Sequence, residues 1–392
     1  MVEYLLATEE QRELAEEAGA VMQKFLAPRL TELEKGNNGL GEYPMDVAQE
    51  LSNIGFSGLN IPEEYGGLGI DIVTLCLICE EMSKTDAGFT FNFINSSLYF
   101  PYLLESKLSK EEKQAYADRI IAGKSSGAFC LTESTSGNDP SMNRTTAVKK
   151  GNEWVINGTK CFITNGKQAD HYFVIAWTDK TKGIGKGMTM FYVEKERGVQ
   201  VGKLEQKMGF KLSETCDVIF DDVHVPEDHI CGEIGGGIKV GLSAVAKSRA
   251  TGMSFNLGIA QAALDYAAKY SLDRITWGKP IIDHEGHGFL LADMKARTDA
   301  SRAMVYYAAE AIKKGIDISS LTSTTKFFVS DATMQTTIDA VQALGGYGYM
   351  HDYPVEKLMR DAKVFQIFDG TNQVNRWNAA KWIKKEYTKR KK

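Results

Sequence analysis

Asp369, close to the C-terminus, is the residue whose chemical setting says most about this chain. It is followed by Gly370 and Thr371. An aspartate in that position can cap the start of a helix, because its carboxylate accepts backbone N–H groups. It can also act as a general base if a dry pocket raises its pKa toward the working pH. The residues themselves leave both interpretations open, so the elements that position Asp369 must decide between them.

Two residue pairs have the spacing that metal sites use, but neither is complete. Cys76 and Cys79 form a C-x-x-C without a second pair, and His284 and His287 lie three residues apart without an apparent third ligand. The cysteines belong to an apolar run, so we expect them to be buried small hydrophobic residues of a reducing compartment. The histidines are expected in a polar loop at an interface, and no metal site is predicted.

The chain of 392 residues is longer than one hydrophobic core comfortably supports, so two or three packed subdomains are expected. The net charge is −5 and only the tail from Lys384 to Lys392 is basic, so nucleic acid is not an expected partner. The N-terminus resembles neither a signal peptide nor a transit peptide, and no apolar run is long enough to span a membrane. A cytoplasmic protein without stable membrane association is predicted.

The hydrophobic pattern changes twice along the chain. Residues 8 to about 125 have helical spacing, short β-rich runs separated by turns follow from about 126, and long helical stretches return from 237. The β-rich runs favour a small antiparallel barrel or sandwich. The predicted fold class is therefore α+β, mainly helical, with an N-terminal helical domain (1–125), a middle β-domain (126–236) and a C-terminal helical bundle domain (237–392).

Five segments, in order along the chain, resemble the signature of the acyl-CoA dehydrogenase family. They are Leu131–Asp139, Asn157–Gly166, Asp273–Pro280, Gln342–Tyr349 and Arg360–Gln373. Each segment alone is a weak signal, but their shared order and spacing make the resemblance run almost from end to end. The family combines an N-terminal helical domain, a middle β-domain and a C-terminal four-helix bundle, which agrees with the order of helical and β-rich segments here.

The resemblance implies an FAD-dependent acyl-CoA dehydrogenase, which forms a 2-enoyl-CoA by α-proton abstraction and β-hydride transfer to flavin N5. Asp369 stands where most members have a glutamate and is implied to be the catalytic base. A subgroup of the family places the base on a helix, just before the residue matched by Arg249. That position is Ser248 here, which cannot serve. The implied partners are an acyl-CoA substrate, an electron-transfer flavoprotein and further copies of this chain in a homotetramer.

The resemblance also implies which residues contact the cofactor and the substrate. The implied FAD-binding residues are Phe129, Leu131, Thr132, Gly137, Asn138, Phe162, Ile163, Thr164, Arg274, Trp277, Glu285, Gln342, Gly345, Gly346, Thr371 and Gln373. The implied substrate-binding residues are Asn138, Arg249 and Gly370. Two positions depart from the family pattern. Phe162 replaces a tryptophan and lacks the indole N–H, and Glu285 places an acid where an amide usually meets FAD.

The shorter side chain of Asp369 suggests a substrate with a crowded α-carbon. Aspartate reaches about 1.5 Å less far than glutamate, and a displacement of about 1 Å can lower a rate by on the order of 10²-fold. The volume of the missing methylene suits an α-carbon with two carbon substituents, as in cyclohexanecarboxyl-CoA or an α-methyl-branched acyl-CoA. Trp277, Phe93 and Tyr99 could add bulk near such a pocket, or they could be ordinary core aromatic residues.

Three other functions stay open at this level. The same residues could serve an enoyl-CoA reductase that runs the reaction in reverse, and an acyl-CoA oxidase would differ in how fast its reduced flavin reacts with air. A catalytically silent binding subunit of the same fold is the alternative from a different class of protein. The missing glutamate at position 369 is the feature that favours it.

Overall fold

The computed structural model of the protein describes residues 6–316 and 318–390, without the side chains at 242–248, 319 and 390. Helices occupy both ends of the chain and a single large sheet lies between them, which confirms the predicted mainly helical α+β fold. Every helix in the described ranges is too short or too polar to cross a lipid bilayer.

From residue 6 onward, where the described part of the chain begins, six helices form the N-terminal part. They are α1 (Glu9–Val21), α2 (Leu30–Lys35), α3 (Met45–Asn53), α4 (Ile72–Leu98), α5 (Phe100–Leu104) and α6 (Lys110–Ile121). Local sequence sets their starts, because Thr8 with Gln11 and Ser109 with Glu112 form capping boxes before α1 and α6. Helix α4 is interrupted at Asp86, whose backbone (φ −155°, ψ 114°) is extended.

An eight-stranded sheet forms the middle of the chain. Its strands are β1 (Gly127–Cys130), β2 (Thr146–Lys150), β3 (Glu153–Thr164), β4 (His171–Trp177), β5 (Met188–Glu194), β6 (Gln200–Leu204), β7 (Thr215–Pro226) and β8 (Ile230–Cys231), with the short helix α7 (Ile184–Gly187) before β5. The order is β6-β7-β3-β2-β4-β5-β8, and β1 pairs with β4. The prediction of an antiparallel arrangement was wrong for β1, which runs parallel to β4, and for the Thr146–Trp177 pair of β2 and β4.

The C-terminal part of the chain is again helical. It contains α8 (Gly237–Asp273), the hairpin β9 (Ile275–Thr276) and β10 (Lys279–Pro280), then α9 (Glu285–Lys313), α10 (Ser319–Leu344), α11 (Val355–Ala362) and α12 (Asn372–Arg390). Helix α8 contacts α4, α9 and α10, and α12 contacts α10. Because α4 belongs to the N-terminal part, one hydrophobic core is shared by both helical parts, while a second core fills the interior of the sheet.

All six cysteines are buried and free. Cys76 and Cys79 lie on α4 against the shared helical core, which confirms that they are buried apolar residues. Burial raises the pKa of both thiols, so they stay protonated and poorly suited to metal binding or nucleophilic chemistry.

Candidate functional site

Asp369 lies in a tight turn that leads into α12. Its φ is 54° and that of Gly370 is 84°, so two successive residues adopt the left-handed conformation. The cap of α12 is Thr371, whose hydroxyl accepts the N–H of Val374 at 3.4 Å. The alternative use of Asp369 as a helix cap is therefore wrong, because the residue two positions later fills that role.

The backbone of this turn is fixed by two side chains from outside it. Arg249 of α8 donates from Nη2 to the carbonyl of Asp369 at 3.3 Å, and Asn375 donates to the carbonyl of Gly370 at 2.8 Å. Arg249, implied by the resemblance to contact the substrate, thus lies directly beside the base position. The side chain of Ser248, at the alternative base position, lies outside the described residues.

Burial dominates the electrostatics of the Asp369 carboxyl and raises its pKa, while Arg249 and Lys326 act in the opposite direction. The carboxylate faces Gly252 on α8, where a Cβ atom would lie 3.7 Å from Oδ2. A half-buried carboxyl whose pKa burial raises, facing a helix backbone without a side chain, suits proton abstraction from a weak carbon acid.

Aromatic side chains line the region next to the carboxyl. Burial raises the pKa of Tyr99 and Tyr102, and the negative charge of Asp369 adds to the effect on both. The ring of Tyr102 stacks on Phe129 of β1 with centroids 5.7 Å apart. Tyr99 therefore lies near the carboxyl of Asp369, between α4, α5 and β1, where the sequence hypothesis expected a bulky side chain.

The other two aromatic residues of that hypothesis lie elsewhere. Trp277 is at the tip of the β9–β10 hairpin, 95% exposed, with its ring edge-on to His284. Phe93 is buried in the helical core, where it stacks on Phe89. The idea that Trp277 adds bulk beside Asp369 of the same chain is therefore wrong, and Phe93 is a core aromatic.

A second group of implied FAD contacts forms an edge of the sheet beside the turn. Asn138 donates to Thr371 Oγ1 at 3.1 Å and accepts the Thr371 N–H at 3.2 Å, which joins this edge to the turn of Asp369. Phe162 has a left-handed backbone (φ 57°) and presents a ring that is 63% exposed. Ile163 points into the core of the sheet, so only its backbone can face a ligand. The remaining members on this edge are Phe129, Leu131, Thr132, Gly137 and Thr164.

Two residues that the sequence analysis did not single out hold this edge in place. Lys160 is fully buried and donates to Glu133 at 2.8 Å and to the carbonyl of Leu131 at 3.1 Å. The backbone N–H of Thr145 in turn donates to Glu133. Burial lowers the pKa of Lys160, although Glu133 opposes that shift. Lys160 and Glu133 both belong to segments that carry the family resemblance. The sequence analysis assigned those segments to cofactor contacts and did not consider these two residues separately.

A third group surrounds a cavity of about 700 Å³ at the far end of α8. Its lining includes Arg274, Gln342, Gly345 and Gly346, four of the implied FAD contacts, together with His284. Three other implied contacts do not line it. Glu285 and Gln373 are exposed on α9 and α12, and Trp277 lies on the hairpin.

The two histidines near this cavity have protein partners. His284 Nε2 contacts the side chain and the carbonyl of Thr276, each at 3.1 Å, and His287 Nε2 contacts the Ser271 hydroxyl at 2.7 Å. Across the described ranges, three or more histidine, cysteine or acidic side chains nowhere gather in a way that could hold a metal ion.

Comparison with known proteins identifies the family. Residues 8–124, 128–223 and 235–384 match the N-terminal, middle and C-terminal domains of acyl-CoA dehydrogenases. The chain belongs to the acyl-CoA dehydrogenase family. It is 38% identical to an acyl-CoA dehydrogenase of Bacillus subtilis (strain 168), over 96% of this chain and 98% of that protein.

Two further acyl-CoA dehydrogenases are similar over most of their length. Cyclohexane-1-carbonyl-CoA dehydrogenase of Syntrophus aciditrophicus (strain SB) is 37% identical over 94% of this chain and 96% of that protein. The structure of butyryl-CoA dehydrogenase from Megasphaera elsdenii superposes with a TM-score of 0.91 at 36% identity, covering 97% of this chain and 99% of that one. The protein is thus an oxidoreductase of a family that depends on FAD.

The residues present fit FAD in two places. Around the cavity, Cβ atoms on Gly345 and Gly346 would meet nothing within 4 Å, so a ligand can approach the backbone there. Arg274 supplies a guanidinium suited to a pyrophosphate, and Gln342 supplies an amide. At the edge of the sheet, the exposed ring of Phe162 offers a flat apolar face for a flavin ring.

Proposed function

We propose that Asp369 is the catalytic base of this acyl-CoA dehydrogenase and that the substrate carries a ring or a branch at its α-carbon. The observation that carries the proposal is the position of the carboxylate, in a turn held by Arg249 and opposite the bare backbone of Gly252. A carboxylate with a raised pKa that faces a backbone without a side chain can remove the α-proton of a thioester.

In this dehydrogenation, the residues of the chain would have the following roles. FAD, when bound, supplies the hydride acceptor. The turn presents the carboxylate of Asp369 for the α-proton and its backbone N–H for the thioester oxygen, where a donor stabilises developing negative charge. Asn138, linked to Thr371, would border the thioester arm of the substrate. Tyr99 and Tyr102, which respond to the charge of Asp369, would provide an aromatic surface on one side of the site.

The choice of an alicyclic or α-branched acyl-CoA rests on two observations. The side chain at position 369 is one methylene shorter than glutamate, and Gly252 contributes no side chain on the facing helix. The 37% identical relative from Syntrophus aciditrophicus is named for cyclohexane-1-carbonyl-CoA. Cyclohexanecarboxyl-CoA is accordingly the substrate we propose first.

The assembly proposed is a homotetramer in which FAD bridges subunits. Arg249 beside Asp369 and Arg274 at the cavity are separated by 25 residues of α8, which corresponds to roughly 35–40 Å along a helix axis. One FAD molecule that contacts both Arg274 and the sheet residues joined to the Asp369 turn by Asn138 would therefore take these two groups from different copies of the chain. We propose an electron-transfer flavoprotein as the electron acceptor and the cytoplasm as the location.

Two alternatives remain distinct from this proposal. An enoyl-CoA reductase would use the same residues in the opposite direction, and the electron partner would separate the two. A silent binding subunit would need no competent base, whereas the raised pKa of Asp369 and the space beside it favour catalysis.

The decisive experiment is anaerobic bleaching of the flavin in the purified holoenzyme by a panel of acyl-CoA thioesters. Wild-type protein should bleach fastest with cyclohexanecarboxyl-CoA or isobutyryl-CoA and more slowly with butyryl- or octanoyl-CoA. Asp369→Asn should bind FAD normally and bleach at least about 10²-fold more slowly, because general-base catalysis contributes about that much. Rapid bleaching of Asp369→Asn would exclude Asp369 as the base, and a straight-chain preference in the wild type would overturn the substrate proposal alone.

A further inference from the structure

We propose that Lys326 of α10 is a positioning residue for the base: its buried ammonium ties the turn that carries Asp369 to α10 and keeps a positive charge facing the carboxylate. The inference rests on the proposed role of Asp369 as the base. It adds a residue that lies outside the five segments of the sequence signature and that touches neither the edge of the sheet nor the cavity at the end of α8.

The tether runs through the residue that begins α12. Lys326 is completely buried, and its Nζ donates to Asn372 Oδ1 at 2.7 Å. Asn372 follows Asp369 by three residues. The amide of Asn372 donates to the Ser330 hydroxyl at 2.9 Å and to Asp331 Oδ1 at 2.7 Å, both one turn further along α10. The end of the Asp369 turn that leads into α12 is therefore anchored to one face of α10.

Arg249 anchors the same turn from the other side and meets the same face of α10. Its Nη2 donates to the carbonyl of Asp369 at 3.3 Å, and its Nη1 donates to the Ser323 hydroxyl at 3.5 Å. Ser323 and Lys326 are three residues apart on α10, so they lie on one helix face. The turn is thus held between a half-buried guanidinium from α8 and a fully buried ammonium from α10.

The charged and titratable groups around the two residues come from four elements. Asp369 faces Arg249 on α8 and Lys326 on α10, and Tyr99 and Tyr102 respond to its charge from the N-terminal helices. Lys326 interacts with Asp369 and Arg249, and also with Asp331 of α10 and Arg376 of α12. Burial lowers the pKa of Lys326 to about 8, while Asp369 opposes that shift.

The direction of the effect follows from these signs. A cation beside a carboxyl favours the ionised form, so Lys326 keeps the pKa of Asp369 lower than burial alone would set it. Removing the charge should raise that pKa, and a larger fraction of the base would be protonated at mildly acidic pH. Removing the tether should let the turn shift, which lowers the rate even where the base is fully ionised.

Three variants distinguish the loss of the positive charge at position 326 from a change in the shape of that side chain and from the loss of a positive charge elsewhere. Lys326→Gln keeps a donor for Asn372 but has no charge, and Lys326→Arg keeps the charge. Lys381→Met removes an exposed positive charge from α12, where Lys381 lies over the Trp377 ring, and serves as the matched control. Each holoenzyme is assayed for kcat and kcat/KM with cyclohexanecarboxyl-CoA, or with the best substrate found, across the acidic pH range.

For Lys326→Gln, we expect the acid limb of kcat/KM to move to higher pH, whereas kcat at pH values where the base is fully ionised should stay close to that of the wild type, because the donor to Asn372 is retained. Lys326→Arg and Lys381→Met should keep the wild-type acid limb. A wild-type acid limb in Lys326→Gln overturns the proposal. If that variant yields no folded holoenzyme, Lys326→Arg decides, because an acid limb displaced to higher pH despite the retained charge also overturns it.

Two measurements without turnover complete the test. Difference infrared spectra of the substrate-free holoenzyme over the same pH range, with Asp369→Asn to subtract other carboxyl groups, should give a higher carboxyl midpoint in Lys326→Gln. Its melting temperature, measured beside that of Lys381→Met, reports separately how much stability the loss of the buried cation costs. If Asp369→Asn is active, the proposed function itself is wrong. If Asp369→Asn is inactive but the carboxyl midpoint in Lys326→Gln is unchanged, only the proposed role of Lys326 is wrong.

Discussion

At the scale of single residues, the space beside Asp369 comes from Gly252. A Cβ atom at that position would lie 3.7 Å from the carboxylate, an ordinary contact distance. Glycine inside a helix costs roughly 0.5–1 kcal/mol relative to alanine, so α8 gives up some local stability at this point. We interpret the open space as room for the second substituent on the α-carbon of the substrate.

Gly252→Ala should therefore act selectively on bulky substrates. The added methyl group occupies the space next to the carboxylate, so kcat/KM for cyclohexanecarboxyl-CoA should fall by about 10-fold or more, the usual effect of one misplaced methyl or methylene group in a pocket. The loss for butyryl-CoA should be smaller, because its α-carbon has one carbon substituent fewer. Initial rates of both substrates under one set of conditions give the ratio.

A suitable control is Gly185→Ala in α7, where an added Cβ meets nothing within 4 Å. It should leave both rates unchanged. Equal losses for the cyclic and the straight-chain substrate in Gly252→Ala would show that the methyl group disturbs Asp369 itself, and the interpretation of Gly252 as a determinant of specificity would fail.

At the scale of elements, a buried ionic cluster joins the N-terminal helices to the segment that precedes the base. Lys357 of α11 contacts Asp361 on its own helix and Asp86 at the break in α4. Asp361 in turn accepts the backbone N–H of Phe210 from the middle β-domain. The cluster therefore ties α4, α11 and a loop of the β-domain together just before the chain turns toward Asp369.

Contacts between aromatic rings continue this connection from the β-domain to the residue before the base. Phe210 packs edge-on against Phe365, with centroids 5.5 Å apart, and Phe365 packs against Phe368 at 4.9 Å. Phe368 also meets Phe91 of α4 at 5.5 Å. The residue immediately before Asp369 is thus fixed by contacts with the β-domain and with α4.

Lys357→Met should destabilise the whole fold by about 3–5 kcal/mol, because it leaves buried carboxylates without their cation. Burial already raises the pKa of Asp86, and without Lys357 its folded-state pKa would rise further above the unfolded value. The native state would then hold a proton that the unfolded chain releases, so the loss of stability should grow as the pH rises through the folded-state pKa. Urea midpoints at several pH values measure this.

Glu227→Gln provides the comparison, since Glu227 pairs with Lys149 at the surface. That variant should leave the urea midpoint unchanged at every pH, as exposed ion pairs contribute little. A Lys357→Met protein with the wild-type midpoint would show that the buried cluster does not hold the domains together.

At the scale of the whole molecule, the question is which copies of the chain build one active site. The turn of Asp369 meets the first half of α8, at Arg249 and Gly252, whereas the cavity at Arg274 lies at the C-terminal end of that helix. The hairpin beside the cavity exposes Ile275 and Trp277 to 54% and 95%. Exposed apolar side chains of this size usually mark a contact surface, which fits an assembly whose subunits complete each other's cofactor sites.

Complementation between two inactive variants tests this arrangement. Asp369→Asn retains Arg274, and Arg274→Ala retains Asp369 but should release FAD because it lacks the guanidinium for the pyrophosphate. If each site combines Asp369 of one chain with Arg274 of another, equal co-expression should restore about a quarter of the wild-type activity by random pairing. Bleaching assays and bound FAD per subunit report the outcome.

Homogeneous preparations of either variant, each co-purified with a differently tagged copy of itself, give the baseline. Activity of the mixed preparation at the level of that baseline would mean that each chain binds its own FAD. The proposal of a cofactor shared across subunits would then be wrong, while the role of Asp369 would be unaffected.

Features that depend on neighbours along the chain could be predicted from the amino-acid sequence. The starts of α1 and α6 follow from capping boxes whose partners are three residues apart, and the β-rich runs mark β1, β3, β4, β5 and β7. The family signature likewise consists of short segments whose order is readable without coordinates, so family, fold class and cofactor were all predictable. The strands β2 and β6 were missed because their short, half-exposed sequences give little hydrophobic alternation.

The distant residues that meet at the base could be found only from the packing of separate elements. Gly252 and Lys326 come from helices more than 40 residues away from Asp369 in the chain, and no local pattern links them to it. The assignment of the helix cap to Thr371, the parallel pairing of β1 with β4 and the exposure of Trp277 also follow from packing. The physical reason is that capping and periodicity act within a few residues, whereas burial, charge pairing and open space arise only when separate elements pack against each other.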